Sequence, residues 1–141
     1  MHMAVEDIDR NVKFYSTLFG AEPVVRKADY AKWILDDPRV NFAISTRGAK
    51  PGLDHVGIQV DNETELAGIH SRLARADQDM LAQEATSCCY ATSNKYWVQD
   101  PQGIAWEAYQ SLGEVPVFGD GALAAQSKTG FKAACCAPMA R

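Results

Sequence analysis

Long apolar runs are missing from this sequence. No stretch approaches the roughly 20 residues that cross a bilayer, so a membrane is not an expected partner. Clustered positive charge is missing too. Lys and Arg are scattered and the formal net charge is -4, a balance that repels phosphates and argues against nucleic acid or anionic lipid. The opening positions hold Glu6, Asp7 and Asp9 and lack the apolar segment of a signal peptide, which makes the cytoplasm the expected location. Cysteine is sparse, and its placement is unusual: the four occur as adjacent pairs, Cys88-Cys89 and Cys135-Cys136. Neighbouring α-carbons lie about 3.8 Å apart, below the roughly 4.4 Å at which the usual disulfide span begins. Each pair therefore reads as free thiols in a reducing compartment.

What is present is an ordinary foldable mixture, 47% apolar and 23% charged, long enough for one core or for small modules sharing one. The chain also repeats itself. His2-Met3-Ala4-Val5 leads through Asp7-Ile8-Asp9 into a helical pattern, and His55-Val56-Gly57-Ile58-Gln59-Val60 leads through Asp61-Asn62-Glu63 into another. Each is a short strand that opens with histidine and closes at an acidic helix cap. Ile8, Val12, Tyr15 and Phe19 share one helical face, and Gly20 supplies the stop. Leu66, Ile69 and Leu73 form a weaker stripe of the same kind.

Further along, Ala31-Lys32-Trp33-Ile34-Leu35-Asp36-Asp37-Pro38 resembles Asn94-Lys95-Tyr96-Trp97-Val98-Gln99-Asp100-Pro101. Each Asp-Pro turn is followed by a strand, Val40 to Thr46 in one copy and Ile104 to Tyr109 in the other. The second copy holds about ten additional residues before its Lys95 strand, where Cys88-Cys89 sits. The expected fold is α+β: tandem βαβββ modules, residues 1–48 and 53–112, forming a curved mixed sheet around a metal site. Together they make a single domain over 1–112. Residues 113–141 form a tail rich in Ala, Gly and Ser, too poor in periodic apolar residues to fold alone.

The duplicated frame aligns His2 with His55 and, with Gly103 as an insertion, Ala43 with Glu107. Three of these positions can ligate a metal, and Ala43 cannot. Two imidazoles and a carboxylate with open positions suit non-haem Fe(II), and Zn, Ni or Mn would accept the same donors. His2 alone would be a mobile terminus, His55 alone a satisfied strand residue and Glu107 alone a surface charge. Their equivalence within a repeat is what raises them together to candidate ligands. His70, on the second helix, reads as a surface residue. The stretch Thr86-Ser87-Cys88-Cys89-Tyr90-Ala91-Thr92-Ser93 reads as a polar inserted loop between strands, free to close over the metal, so its adjacent thiols are expected to be accessible. Such a pair is a soft bidentate site for trivalent arsenic, Cd(II) or Cu(I). Cys135-Cys136 is either a delivery site for a soft ion or incidental.

Several segments resemble the bacterial C–As lyases of arsenic-resistance operons, often labelled cadmium-induced proteins. They are His2-Met3-Ala4-Val5, Phe14-Tyr15-Ser16-Thr17-Leu18-Phe19-Gly20, Tyr30-Ala31-Lys32-Trp33, Asp54-His55-Val56-Gly57, Thr86-Ser87-Cys88-Cys89-Tyr90-Ala91, and Lys95-Tyr96-Trp97-Val98 through Trp106-Glu107. Those enzymes belong to the glyoxalase, bleomycin-resistance and extradiol-dioxygenase superfamily, also called vicinal oxygen chelate. The resemblance implies Fe(II)- and O2-dependent cleavage of trivalent organoarsenicals, methylarsenite and reduced aromatic arsenicals among them, with release of arsenite. It further implies His2, His55 and Glu107 as iron ligands, replaceable by Ni, Co, Zn or Mn, and Cys88 and Cys89 as arsenic-binding thiolates. Tyr96 and Trp97 are expected in the pocket wall. Lys95 is a candidate for the same wall, weighed against an exposed strand lysine. A non-enzymatic protein that sequesters arsenicals or cadmium through its thiols is the main rival. Another metal-dependent lyase or thiol-transferase of the superfamily is the second.

Overall fold

The computed structural model describes residues 1–47, 50–88 and 90–114. The chain divides into compact units, Met1–His55 and Val56–Arg141. The first contains β1 (His2–Ala4), α1 (Ile8–Phe19), β2 (Val25–Arg26), β3 (Tyr30–Asp36) and β4 (Arg39–Ser45). It also contains the start of β5 (Gly52–Val60), which continues into the second unit. There follow α2 (Glu63–Arg75), β6 (Leu81–Cys88), β7 (Ala91–Gln99) and β8 (Ala105–Glu114). Strand, helix and three strands thus occur twice, the α+β order that the repeat predicts.

In the first unit the strands run β2-β3-β4-β1-β5. β1 is parallel to β4 and antiparallel to β5, so the sheet is mixed. The local reasons for α1 are those read from the sequence. The Asp7 side chain accepts from Arg10 N at 2.9 Å, satisfying one of the amides that the first turn leaves unpaired. At the other end Gly20 adopts φ 64°, the left-handed cap that glycine takes at least cost. Between them Ile8 and Val12 pack on Ala31, Trp33, Phe42 and Ile44, flanked by Tyr15 and Phe19. The ring centroids of Tyr15 and Phe42 are 4.6 Å apart, and the Trp33 indole donates to Ala21 O at 3.0 Å. Burial of a side chain such as Ile44 is worth roughly 1.5–3 kcal/mol, so this cluster anchors the helix to β3 and β4.

In the second unit the order is β5-β8-β7-β6. Asn62 caps α2 by accepting from Glu65 N at 3.0 Å, and the Glu65 carboxylate accepts from Asp61 N at 3.1 Å. Its apolar stripe is the weaker one, as expected: Leu66 is buried against Val60 and Ala108, while Ile69 is partly covered. No helix among the described residues is long and apolar enough to cross a membrane.

The structure departs from the sequence reading in two places. The additional residues before Lys95 do not form a free loop; they lengthen a hairpin. β6 and β7 pair from Leu81↔Trp97 up to Cys88↔Ala91, whereas the matching β2 spans only Val25–Arg26. Backbone amides are better satisfied in a ladder than in an unpaired insertion. β8 also runs to Glu114, past the expected domain end at 112. Cys89, and Cys135 and Cys136 in the tail, lie outside the described residues.

Candidate functional site

Position 2 of a chain ordinarily moves freely, yet His2 is 2% exposed. Its neighbours explain why. The ammonium of Met1 donates to Asn41 O at 2.9 Å, and Ala43 N donates to Met1 O at 3.0 Å. β1 is thereby held between β4, where His2 pairs with Ala43, and β5, where His2 pairs with His55. The two imidazoles lie with ring centroids 4.9 Å apart and planes inclined at 62°.

Each ring is fixed by a second group. Asp54 Oδ2 lies 2.8 Å from His55 Nδ1, with both side chains under a tenth exposed. An ionised carboxylate only accepts, so Nδ1 carries the proton, and in the neutral ring Nε2 is then the nitrogen with a lone pair. His2 Nε2 lies 2.9 Å from the buried Ser45 Oγ. His2, Asp54 and His55 each offer one ligand atom within 4.8 Å of the others. Sequence reasoning did not single out Asp54. It stands directly before His55, but adjacency in the chain does not say that its carboxylate meets the imidazole.

Glu107 lies on β8 in the second unit, paired across the ladder with Trp97. Lys95 Nζ is 3.2 Å from Glu107 Oε2 and 5.5 Å from the centroid of the Trp97 ring. Lys95 is 6% exposed, so the reading of an exposed strand lysine does not hold. Trp97 is 1% exposed, packs with Leu81 and Ala105, and donates its indole N–H to Gln83 Oε1 at 3.0 Å. Tyr96 lies elsewhere: its ring sits 4.6 Å from the ring of half-buried His70 on α2. Gly57 approaches Glu107 so closely that a Cβ there would fall 2.6 Å from Glu107 Cγ and 2.8 Å from its carbonyl oxygen. Only glycine leaves that room. Cys88 ends β6 in register with Ala91.

Buried paired imidazoles, one of them oriented by a carboxylate on its Nδ1, are chemistry for a borderline divalent cation. Residues 1–108 match the family described as the glyoxalase/bleomycin resistance protein/dioxygenase superfamily. The chain belongs to that superfamily. Within it, the chain is 41% identical over 110 residues to a trivalent organoarsenical cleaving enzyme of Bacillus sp. (strain MD1), covering 74% of this chain and 67% of the relative. It is 34% identical over 136 residues to the cadmium-induced protein CadI of Mycobacterium bovis, covering 94% and 88%. Among solved structures, the Mn(II)-bound glyoxalase from Novosphingobium aromaticivorans superposes with a TM-score of 0.59 at 19% identity, over 81% of this chain and 38% of the other. That likeness speaks to the superfamily fold.

Proposed function

We propose that this superfamily member is an Fe(II)- and O2-dependent enzyme that cleaves the carbon–arsenic bond of trivalent organoarsenicals and releases arsenite. The observation that carries the reading is the buried His2–His55 pair with Asp54 on His55 Nδ1, in a chain 41% identical to an enzyme named for that cleavage. A protein that only sequestered arsenic through thiols would have no use for burying and orienting two imidazoles.

In this reading His2, His55 and Glu107 hold the metal, and Cys88 and Cys89 hold the substrate. The donor set fits Fe(II), with Ni, Co, Zn or Mn as substitutes. Iron held there would supply the redox capacity for reaction with dioxygen. The remaining work belongs to the chain. Two thiols displace two hydroxyls from methylarsenite, forming two As–S bonds and releasing two waters. The organic group is then held in one orientation, which converts an encounter into an intramolecular step. Dioxygen then oxidises the carbon bonded to arsenic: one oxygen atom leaves with the methyl carbon as formaldehyde, the other stays on arsenic as hydroxyl, and two waters displace the two thiols to release arsenite. Asp54 keeps the His55 proton on Nδ1, and Lys95 holds one oxygen of the Glu107 carboxylate.

Anaerobic reconstitution with Fe(II), followed by methylarsenite and air, tests this directly by chromatographic arsenic speciation. Arsenite that appears only with both iron and oxygen is the expected result. Methylarsenite bound and recovered unchanged would leave a sequestering protein in place of a lyase.

A further inference from the structure

A serine is buried against one of the two imidazoles of the first unit. On β4, Phe42 and Ile44 pack into the apolar cluster that holds α1, so alternation puts Ala43 and Ser45 on the opposite face. β1 runs parallel beside them, with His2 paired to Ala43 and Ala4 to Ser45. On the other side Tyr30 pairs with Ser45, and Val5 N donates to Ser45 O at 2.9 Å. The backbone at position 45 is thus fixed by both neighbouring strands, and the residue is 2% exposed. A buried hydroxyl costs free energy unless it is hydrogen-bonded. Here the bond goes to His2: Ser45 Oγ lies 2.9 Å from His2 Nε2.

Among the described residues this is the one hydrogen bond of the His2 ring, and the one bond of the Ser45 hydroxyl. The other contacts of the ring are aromatic, with Tyr30 at 6.1 Å and His55 at 4.9 Å between centroids. Nδ1 is therefore the His2 nitrogen without a hydrogen bond among the described residues. A neutral imidazole carries one N–H and one lone pair. If the serine donated to Nε2, the proton would sit on Nδ1, and neither nitrogen could take a cation without that bond breaking. If Nε2–H donates to Ser45 Oγ, the lone pair is on Nδ1. Only the second tautomer lets the hydrogen bond and a metal ion coexist.

We propose that Ser45 is a positioning residue of the metal site: it fixes His2 as the Nε2–H tautomer and makes Nδ1 the ligand atom, whereas His55 binds through Nε2. The two imidazoles are then unequal ligands. The Asp54 carboxylate behind His55 strengthens its donation to a cation, and the neutral hydroxyl behind His2 does not. Ser45 itself touches no metal; it acts through His2. The inference rests on the reading of His2 and His55 as metal ligands.

Full-length protein labelled with 15N-histidine and loaded with Zn(II) tests it, because long-range 1H–15N correlations distinguish a protonated from a metal-bound ring nitrogen. His2 is expected as Nε2–H with the metal-induced shift on Nδ1, and His55 as Nδ1–H with the shift on Nε2. Ser45→Ala should lower Mn(II) affinity about 10–100-fold. It should also move the His2 Nε2–H proton upfield, as loss of a hydrogen bond does, while the His55 Nδ1–H proton stays in place. Ser45→Thr, which keeps a hydroxyl, should restore both readouts. A metal-induced shift on His2 Nε2 would overturn the proposal in wild type alone, so the decision does not depend on any variant folding. An Mn(II) affinity unchanged or raised in Ser45→Ala would also overturn it. Zn(II) that shifts neither imidazole would remove the metal reading together with this inference, an outcome distinct from a shift at the wrong nitrogen.

Discussion

His55 shows how much one hydrogen bond decides at the scale of a residue. Asp54 Oδ2, 2.8 Å from Nδ1, selects the tautomer whose Nε2 can ligate. Removing such a partner typically costs about 10–100-fold in metal affinity. Asp54→Ala is expected to weaken Mn(II) binding by that factor in a competition titration, whereas Asp54→Asn, which still accepts at Oδ1, should lose much less. Equal losses in the two variants would make Asp54 a charge-donating ligand in its own right. Gly57 acts on Glu107 by leaving space. A methyl there meets the backbone carbonyl of Glu107 at 2.8 Å as well as Cγ, and backbone cannot swing aside as a side-chain tip can. Gly57→Ala should therefore weaken Mn(II) binding while the fold, followed by circular dichroism, persists. Unchanged affinity would show that Glu107 tolerates displacement. His2, His55, Glu107 and Lys95 were legible in the sequence as candidates. Asp54 and Gly57 were not, because nothing in a one-dimensional string says which atom of a neighbour touches which.

At the scale of an element, caps and turns carry signals that sequence reading detects well, because their hydrogen bonds join residues a few positions apart. Asp7, Gly20 and Asn62 all stand where the pattern put them. The turn before β8 is another case. Asp100 Oδ1 accepts from Ile104 N and from Gln102 N, each at 2.9 Å, and Oδ2 accepts from the Trp106 indole at 3.3 Å. The Ile104 amide chiefly, helped by Trp106, Gln102 and Gly103, holds the Asp100 carboxyl below its ordinary value of 3.8. A depressed folded-state pKa stabilises the fold above the unfolded value, and that contribution is lost as pH falls through the folded value. Wild type should thus exceed Asp100→Ala in urea midpoint above pH 3.8, with the gap closing as acid is added below it. A gap that stays constant through that acid range would mean the carboxylate charge contributes nothing to the turn. The hairpin β6–β7 is the element that sequence reading placed wrongly. Its additional residues looked like a loop because Thr86, Ser87, Thr92 and Ser93 are polar, and polarity alone does not distinguish an open loop from a paired strand.

For the whole molecule, a ligand that binds only the native state raises stability by mass action, about 2.7 kcal/mol at 100 times its dissociation constant. Mn(II) under anaerobic conditions should raise the melting temperature of wild type and of Cys88→Ser alike, and should fail to do so in Glu107→Ala. An intact rise in Glu107→Ala would move the carboxylate role to Asp54. The sequence by itself determined the element order, the caps, the face of α1 that is buried, and the repeat equivalence of His2 with His55 and of Glu107 with Ala43. These follow from local periodicity and from duplication, which leave their mark along the chain. Tertiary structure decided the rest: that His2 is buried at a terminus, that Ser45 and Asp54 hold the two imidazoles, that Lys95 pairs with Glu107 over Gly57, and that β6 shifts register at Ala85. Nearly all of these depend on which residues strand pairing brings face to face across long separations, and a slip of one residue in register would undo them.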